Sequence, residues 1–299
     1  MAKIAIDLER ALEHRATHGT AGGIAGRLLA RGEGWTIQDL ICTSGPGDRR
    51  FEEEHWGVAI AIVVAGSFQY RSASARELMT PGSLLLGYDG QAFECGHEHG
   101  RGDRCISFRY TIDAFERLAE EAGAPRADRR FRASRVPPIR DLSPIITRAC
   151  IGLLDGDAVS WEEVSVRLAA DVARVVGGVV PRASEVAPAA LARVTRVVRA
   201  IEREAEGPLT LRRMAQEAGL SSYHFLRTFE RLTGVTPHQY LRRVRLRRAA
   251  MRLVADPDKV IDIAFDSGFG DVSNFTRAFR TEFGVSPSQY RLRARGGRG

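Results

Sequence analysis

Apolar positions change their period part-way along the chain, and the change marks two kinds of structure. From about residue 26 to 112 they alternate or run in short blocks: Trp35 to Thr43 alternates, Val58 to Arg71 is a long β-rich run, and PGSLLLG at 81–87 begins with a Pro-Gly turn. Phe93 to Tyr110 predicts a hairpin around GRGD at 100–103. Short strands at this spacing point to a barrel or jelly roll. Helical spacing then takes over, at Asp113 to Glu121, Leu142 to Leu154 and Trp161 to Val176. In the last of these Val164, Leu168, Val172 and Val175 make one stripe, an apolar face suited to packing on the strands. PRASEVAPAA at 181–190 has two prolines and no periodicity, and reads as a linker. The expected class is α+β: a β-barrel domain over 1–112, a helical segment over 113–180, and an all-α domain over 191–295.

The last third contains an internal repeat. GVTPHQYLR at 234–242 recurs as GVSPSQYR at 284–291, and Phe225, Arg227 and Phe229 recur 50 residues later as Phe275, Arg277 and Phe279. Ala215 and Gly219 match Ala264 and Gly268 at an offset of 49, so one residue has entered between the two segments. In the first unit Thr210 caps a helix whose stripe is Leu211, Met214, Ala215 and Ala218. Gly219 supplies a positive-φ corner, Ser221 or Ser222 caps a second helix with Phe225, Phe229 and Leu232 inward, and Gly234 closes it. The second unit repeats this: Ile261, Ala264 and Phe265 form a stripe, Gly268 turns, Asp271 caps, and Phe275, Phe279 and Phe283 point inward. Each unit is a helix-turn-helix. Between them Thr236, with Pro237 following, starts a helix running to about Ala255, so roughly 30 Å at 1.5 Å per residue.

That length approaches one turn of DNA, about 34 Å, so helices 222–233 and 272–283 could enter successive major grooves on one face. With the phenylalanines inward, Tyr223, Leu226, Arg227 and Glu230 point outward in the first unit. Ser273, Thr276, Arg277 and Arg280 do so in the second. Arg227 and Arg277 can each present a bidentate donor pair to guanine. His224, beside Phe225, is expected to pack or hydrogen-bond rather than read a base. The run Arg242, Arg243, Arg245, Arg247 and Arg248 is either a phosphate-contacting face or a solvated one.

Charge agrees with this division. The 299-residue chain carries a net +7, but residues 191–299 hold 21 Lys and Arg against 11 Asp and Glu. The remainder is slightly acidic, with 23 against 26, so the cationic character belongs to the repeat. The overall composition, 44% hydrophobic and 27% charged, excludes a disordered or fibrous chain. MAKIAIDLER lacks the apolar run of a signal peptide, and no apolar run approaches the roughly 20 residues of a membrane span. Four cysteines without CxxC spacing fit reduced thiols, so a cytoplasmic protein with no membrane attachment is expected.

The residues from about 194 to 292 resemble the DNA-binding domain of the AraC/XylS family of bacterial transcription regulators. Gly268-Phe269, Phe275, Arg277, Phe279, Phe283-Gly284, Pro287 and Tyr290-Arg291 carry the likeness. The resemblance implies that both second helices enter the major groove of promoter DNA, which marks Ser222, Tyr223, Leu226, Arg227, Val272, Ser273, Thr276 and Arg277. It also implies a cupin-like sensor domain ahead of the repeat, an effector, RNA polymerase as a partner, activation as the commoner role, and helices that make a homodimer.

One segment of the first domain has chemistry of its own: FECGHEHGRGDRC at 93–105. If 95–99 is a strand, Cys95, His97 and His99 share a face and converge with His55 on a zinc or other soft-metal site. The alternative is polar pocket-lining residues without metal. Cys105 joins only if the loop differs in length from the four residues 100–103. Asp103 stands where metal-binding cupins place a glutamate, so a metal-dependent cupin enzyme fused to a DNA anchor is the competing class. The sequence has no GxSxG, P-loop or Rossmann fingerprint, and no cysteine cluster near its start of the kind a methyl-transfer repair fusion would need. The expected function is therefore sequence-specific, signal-responsive DNA binding, not catalysis, with either a small molecule or a metal as the signal.

Overall fold

Two antiparallel sheets, eleven α-helices and a 3-10 helix (Arg140–Leu142) make up the described part of the computed structural model, which comprises residues 2–73, 75–125, 131–155, 159–176 and 187–296. The first element is a helix, α1 (Ala2–His18), whose Ile4 and Leu8 are buried. Ten strands follow: β1 (Ile24–Gly32), β2 (Trp35–Cys42), β3 (Phe51–Glu54), β4 (Val58–Gly66), β5 (Phe68–Ser72), β6 (Arg76–Met79), β7 (Leu84–Tyr88), β8 (Ala92–Gly96), β9 (Asp103–Tyr110) and the short β10 (Arg135–Val136). Six of them form one sheet in the order β1-β2-β9-β4-β7-β10, and four the other in the order β3-β8-β5-β6.

The expected hairpin over 93–110 does not form. β9 lies between β2 and β4 and both its edges are taken, in the registers Cys42↔Asp103 and Val58↔Tyr110. β8 pairs instead with β3 and β5 in the other sheet. The connection 97–102 therefore crosses between sheets. The run from Val58 to Arg71 divides likewise, at Gly66 (φ +72), into β4 and β5 of different sheets. A Cβ at Gly66 would lie 2.2 Å from the carbonyl oxygen of Gly102, so only glycine permits this crossing.

The six-stranded sheet is covered on both faces, which explains why VAIAIVVAG is apolar throughout rather than alternating. Val63, Leu85 and Cys105 face the space between the sheets with Phe68, Tyr70 and Met79. Ile60, Ile62, Leu84, Leu86, Ile106 and Phe108 face the other way, into a core completed by the helices. Those are α2 (Ile112–Glu121), α3 (Ser143–Leu154) and α4 (Trp161–Val176). Val164, Leu168 and Val172 of α4 are fully buried within this core, so that stripe packs on the chain's own sheet. Tyr110 fixes α4 by donating its hydroxyl to the Ser165 carbonyl at 2.9 Å.

The rest is helical: α5 (Pro188–Glu204), α6 (Leu211–Ala218), α7 (Ser222–Thr233), α8 (Pro237–Ala255), α9 (Val260–Asp266), α10 (Val272–Phe283) and α11 (Pro287–Gly296). Of the expected linker 181–190, residues 181–186 lie outside the described residues, while 188–190 already belong to α5, whose Pro188 sits in its first turn.

The two parts dock through polar contacts as well as apolar ones. Arg135 donates to Glu77 at 2.8 Å and to the carbonyl of Thr233, at the end of α7, at 3.0 Å. Gly82 (φ +87) has Arg247 of α8 against it, and a Cβ there would lie 2.6 Å from the guanidinium. A cavity of about 940 Å³ remains between α1, α5 and α8, with Arg199, Glu202, Arg248 and Met251 among its walls. Burial raises the carboxyl of Glu202 above the usual carboxylate range, with Arg247 and Arg248 opposing.

Candidate nucleic-acid interface

Both helix-turn-helix units are built by the same local chemistry. In the first, the Thr210 hydroxyl accepts from the Arg213 amide at 3.2 Å and the Ser221 hydroxyl from the His224 amide at 3.3 Å. Gly219 (φ +63) makes the corner between α6 and α7, in the left-handed region that α6 needs to end abruptly. In the second, Gly268 (φ +84) turns and Asp271 caps α10, accepting from Ser273 N at 3.1 Å and Asn274 N at 2.8 Å. Those two amides hold the Asp271 carboxyl below its ordinary range. Thr236 and Gln239 form a reciprocal capping box at the start of α8.

The repeat is geometric as well as sequential. Phe225 and Phe229 lie 5.5 Å apart with their planes at 58°; Phe275 and Phe279 lie 5.5 Å apart at 56°. Tyr240 stands edge-on to Phe229 at 5.8 Å, and Tyr290 edge-on to Phe279 at 5.4 Å. All four phenylalanines are fully buried. In the first helix of each unit Met214, Ala215, Ala218 and Ala264 are buried as expected, but other members of the expected stripes are not. Leu211, Ile261 and Phe265 are 38%, 46% and 49% exposed, and it is Ile263 and Ala264 that fill the second core. The true inward stripe of α9 is 260, 263, 264 and 267, one residue out of phase with the expected one.

The fixed phenylalanines rotate the polar face of each second helix outward. On α7, Ser222, Tyr223 and Arg227 are exposed and Leu226 half-buried. On α10, Ser273, Arg277 and Arg280 are exposed, with Val272 and Thr276 half-buried. Residues 272, 273, 276, 277 and 280 line an open groove together with Thr281. Thr281 and the exposed Asn274 were not singled out from the sequence, although i+4 spacing from Arg277 marks the former. Both leading arginines are held by a neighbour. The Arg227 guanidinium lies 5.9 Å from the Tyr223 ring centroid and 3.3 Å from its hydroxyl, while Arg277 is hydrogen-bonded by Asn274. His224 is exposed, with its Nδ1 2.9 Å from the Ser221 hydroxyl, so it is hydrogen-bonded rather than packed.

The arginine run of α8 is largely drawn inward: Arg247 is buried and Arg242, Arg243, Arg245 and Arg248 are half-buried. Arg245 donates to the carbonyls of Ala205 and Gly207 at 2.7 and 2.8 Å. Arg248 meets Glu206, Arg247 lies 3.6 Å from Glu202, and Arg243 lies 3.4 Å from Glu282. These side chains tie the connection after α5, the docking surface and α10 to the long helix.

Comparison with known proteins agrees with this architecture. Residues 214–293 match a family described as a helix-turn-helix domain. The regulatory protein SoxS of Salmonella typhimurium is 36% identical over 93 residues, which is 31% of this chain and 87% of SoxS. The chain belongs to the AraC family of DNA-binding transcription regulators. The transcriptional regulator MtrA of Neisseria gonorrhoeae is 29% identical over 99 residues, 33% of each chain, so the chain spans about a third of that relative's length. Among solved structures, the DNA-binding domain of AdpA in complex with a target DNA is similar over 36% of this chain and 98% of that one, at 29% identity and a TM-score of 0.34. No described helix is long and apolar enough to cross a membrane.

The set His55, Cys95, His97 and His99, expected to converge ahead of the AraC-type domain, is not gathered into one site. β8 ends at Gly96, so 97–99 is not strand and Cys95, His97 and His99 do not share a pleated face. His55 stacks on Phe93 at 4.1 Å, with Nε2 3.2 Å from the Tyr70 hydroxyl, near the opposite end of β8 from His97. Burial, with the charge of Arg109, lowers its imidazole to about 4. Half-buried Cys95 joins the apolar cluster between the sheets, and His99 lies 3.9 Å from Glu98. His97 reaches a buried acid: its Nε2 is 2.7 Å from Oδ1 of Asp103, whose Oδ2 accepts from the Cys105 thiol at 3.2 Å.

Proposed function

We propose that the chain is a one-component, signal-responsive regulator that reads promoter DNA with α7 and α10 in successive major grooves. The observation carrying this is the duplicated exposed face. Arg227 and Arg277 stand at equivalent positions of two units whose aromatic cores superpose in spacing and angle, each arginine held by a neighbour for base-edge contact. Ser222, Tyr223, Leu226, Val272, Ser273, Thr276 and Arg280 complete the surface. Some supply base contacts, others only phosphate contacts that set the register.

The N-terminal part is a cupin-like barrel that senses the effector. Its docking on α7 and α8 leaves both reading faces open, and the cavity of about 940 Å³ between the two parts is of the size small-molecule sites have. The regulator is cytoplasmic and an activator with RNA polymerase as a partner, and two copies act as a homodimer. Regulation, not catalysis, is its role.

Selection of bound duplexes from a randomised library with the full-length chain tests the reading. The expected product is a bipartite sequence whose two elements lie one helical turn apart, about 10–10.5 bp. Retention of all duplexes alike would defeat it.

A further inference from the structure

A second constellation lies between the two sheets. Cys42, at the end of β2, and Asp103, at the start of β9, are register partners, so their side chains emerge on the same side of the sheet. Cys105, two residues further along β9, shares that side, and its thiol donates to Oδ2 of Asp103 at 3.2 Å. His97 arrives from the connection between β8 and β9 and bonds the other oxygen of the same carboxylate. One ligand atom each from Cys42, His97 and Asp103 lies within 4.8 Å of the others. All four residues are buried, and none is more than 8% exposed. His97 Nδ1 is buried without a hydrogen-bond partner, a cost that a bound group would remove.

We propose that Cys42, His97 and Asp103, with Cys105 as the fourth donor, bind a thiophilic divalent cation of the zinc class. Two sulfurs, an imidazole and a carboxylate are a four-donor set for zinc and unsuited to calcium or magnesium, which take oxygen ligands. Charge is conserved on binding. The cation brings two positive charges, the thiols of Cys42 and Cys105 release two protons to solvent, and the buried site keeps the single negative charge of Asp103. A cation can therefore enter without changing the net charge between the sheets.

The site has a direct connection to the DNA-binding part. The segment 97–102 that brings His97 in also carries the Arg101 carbonyl, which accepts from Arg199 of α5 at 3.0 Å. Gly100 lets that guanidinium lie close, since a Cβ there would be 3.1 Å from it. Drawing His97 onto a metal shifts the same six residues, so occupancy is transmitted to α5. The metal site stands apart from the DNA-reading proposal, and neither depends on the other.

Titration of the reduced full-length chain with Co²⁺ tests it. A thiolate-to-cobalt charge-transfer band saturating at one cation per chain and displaced by Zn²⁺ is expected. It should be lost in Cys42→Ser and kept in Cys150→Ala, whose thiol is buried in α3. His97→Gln should weaken affinity by about 10–100-fold or more. Absence of the band in the wild-type chain, or its survival in a Cys42→Ser/Cys105→Ser double variant, would overturn the site. Zn²⁺ should also slow amide exchange in both 97–103 and α5; slowing confined to the N-terminal part would overturn the connection to α5.

Discussion

The hydroxyl of Tyr240, in the DNA-binding part, lies 3.2 Å from the carbonyl oxygen of Pro81 in the N-terminal part. It also lies 3.0 Å from Glu202 on α5. One hydroxyl proton serves one acceptor at a time, so the two compete for it. Tyr290, its counterpart in the repeat, packs on Phe279 in the same way, so the aromatic contact belongs to the helix-turn-helix design and the hydroxyl contact to domain docking. Tyr240→Phe should keep the core and lose about 1 kcal/mol of stability. Faster amide exchange in 80–84 and α8, measured on the full-length chain, should accompany it. Unchanged exchange would mean that the hydroxyl does not hold the two parts together.

Arg227→Ala should cost about 1–3 kcal/mol of binding to the selected duplex and relax the preference at one base pair. Binding assays across single-base variants of that duplex check this. An equal loss on every variant would assign Arg227 to a phosphate.

Arg245→Ala should behave differently, although it also removes a cation from the basic part. Its two hydrogen bonds hold the carbonyls of Ala205 and Gly207, so thermal unfolding should show a loss of about 1–3 kcal/mol. The slope of log affinity against log salt should stay as in the wild type, because no phosphate contact is lost. A shallower slope would place Arg245 on DNA.

His55 sets an acid limit on stability. Its imidazole titrates near 4 when folded and near 6.5 when unfolded, because burial disfavours the charged ring. The unfolded chain therefore takes up a proton first as the pH falls. The stability associated with neutral His55 is complete above about 6.5 and is lost between there and about 4. His55→Gln, which can still meet the Tyr70 hydroxyl, should flatten the fall in melting temperature across that window. An unchanged profile would assign the acid sensitivity to other groups.

How much was legible in the sequence follows from what each pattern is sensitive to. The caps, corners and phenylalanines of the two units were readable because each is set by neighbours within a few residues: Thr210, Gly219, Ser221, Gly268 and Asp271 act locally. The phase of α9 was not, because Ile261, Ile263 and Phe265 are all apolar and only packing selects Ile263. For the arginines of α8 the sequence leaves a phosphate-contacting face and a solvated one equally open, since their carbonyl and carboxylate partners, at 202, 205, 206, 207 and 282, are distant in sequence. The same holds for Cys42, some 55 residues before His97, which meets it only through the β2–β9 register. α1 has no strong signature in MAKIAIDLER, because Asp7, Glu9 and Arg10 crowd its apolar positions and only packing selects Ile4 and Leu8 as its buried face.

A hydroxyl-radical footprint of the full-length chain on the selected duplex tests the two-groove arrangement most directly. Two protected patches on one face of the DNA, centred about one helical turn apart, are predicted, with Arg277→Ala weakening one and Arg227→Ala the other. A single patch, unaffected by substitution on one of the two helices, would contradict it.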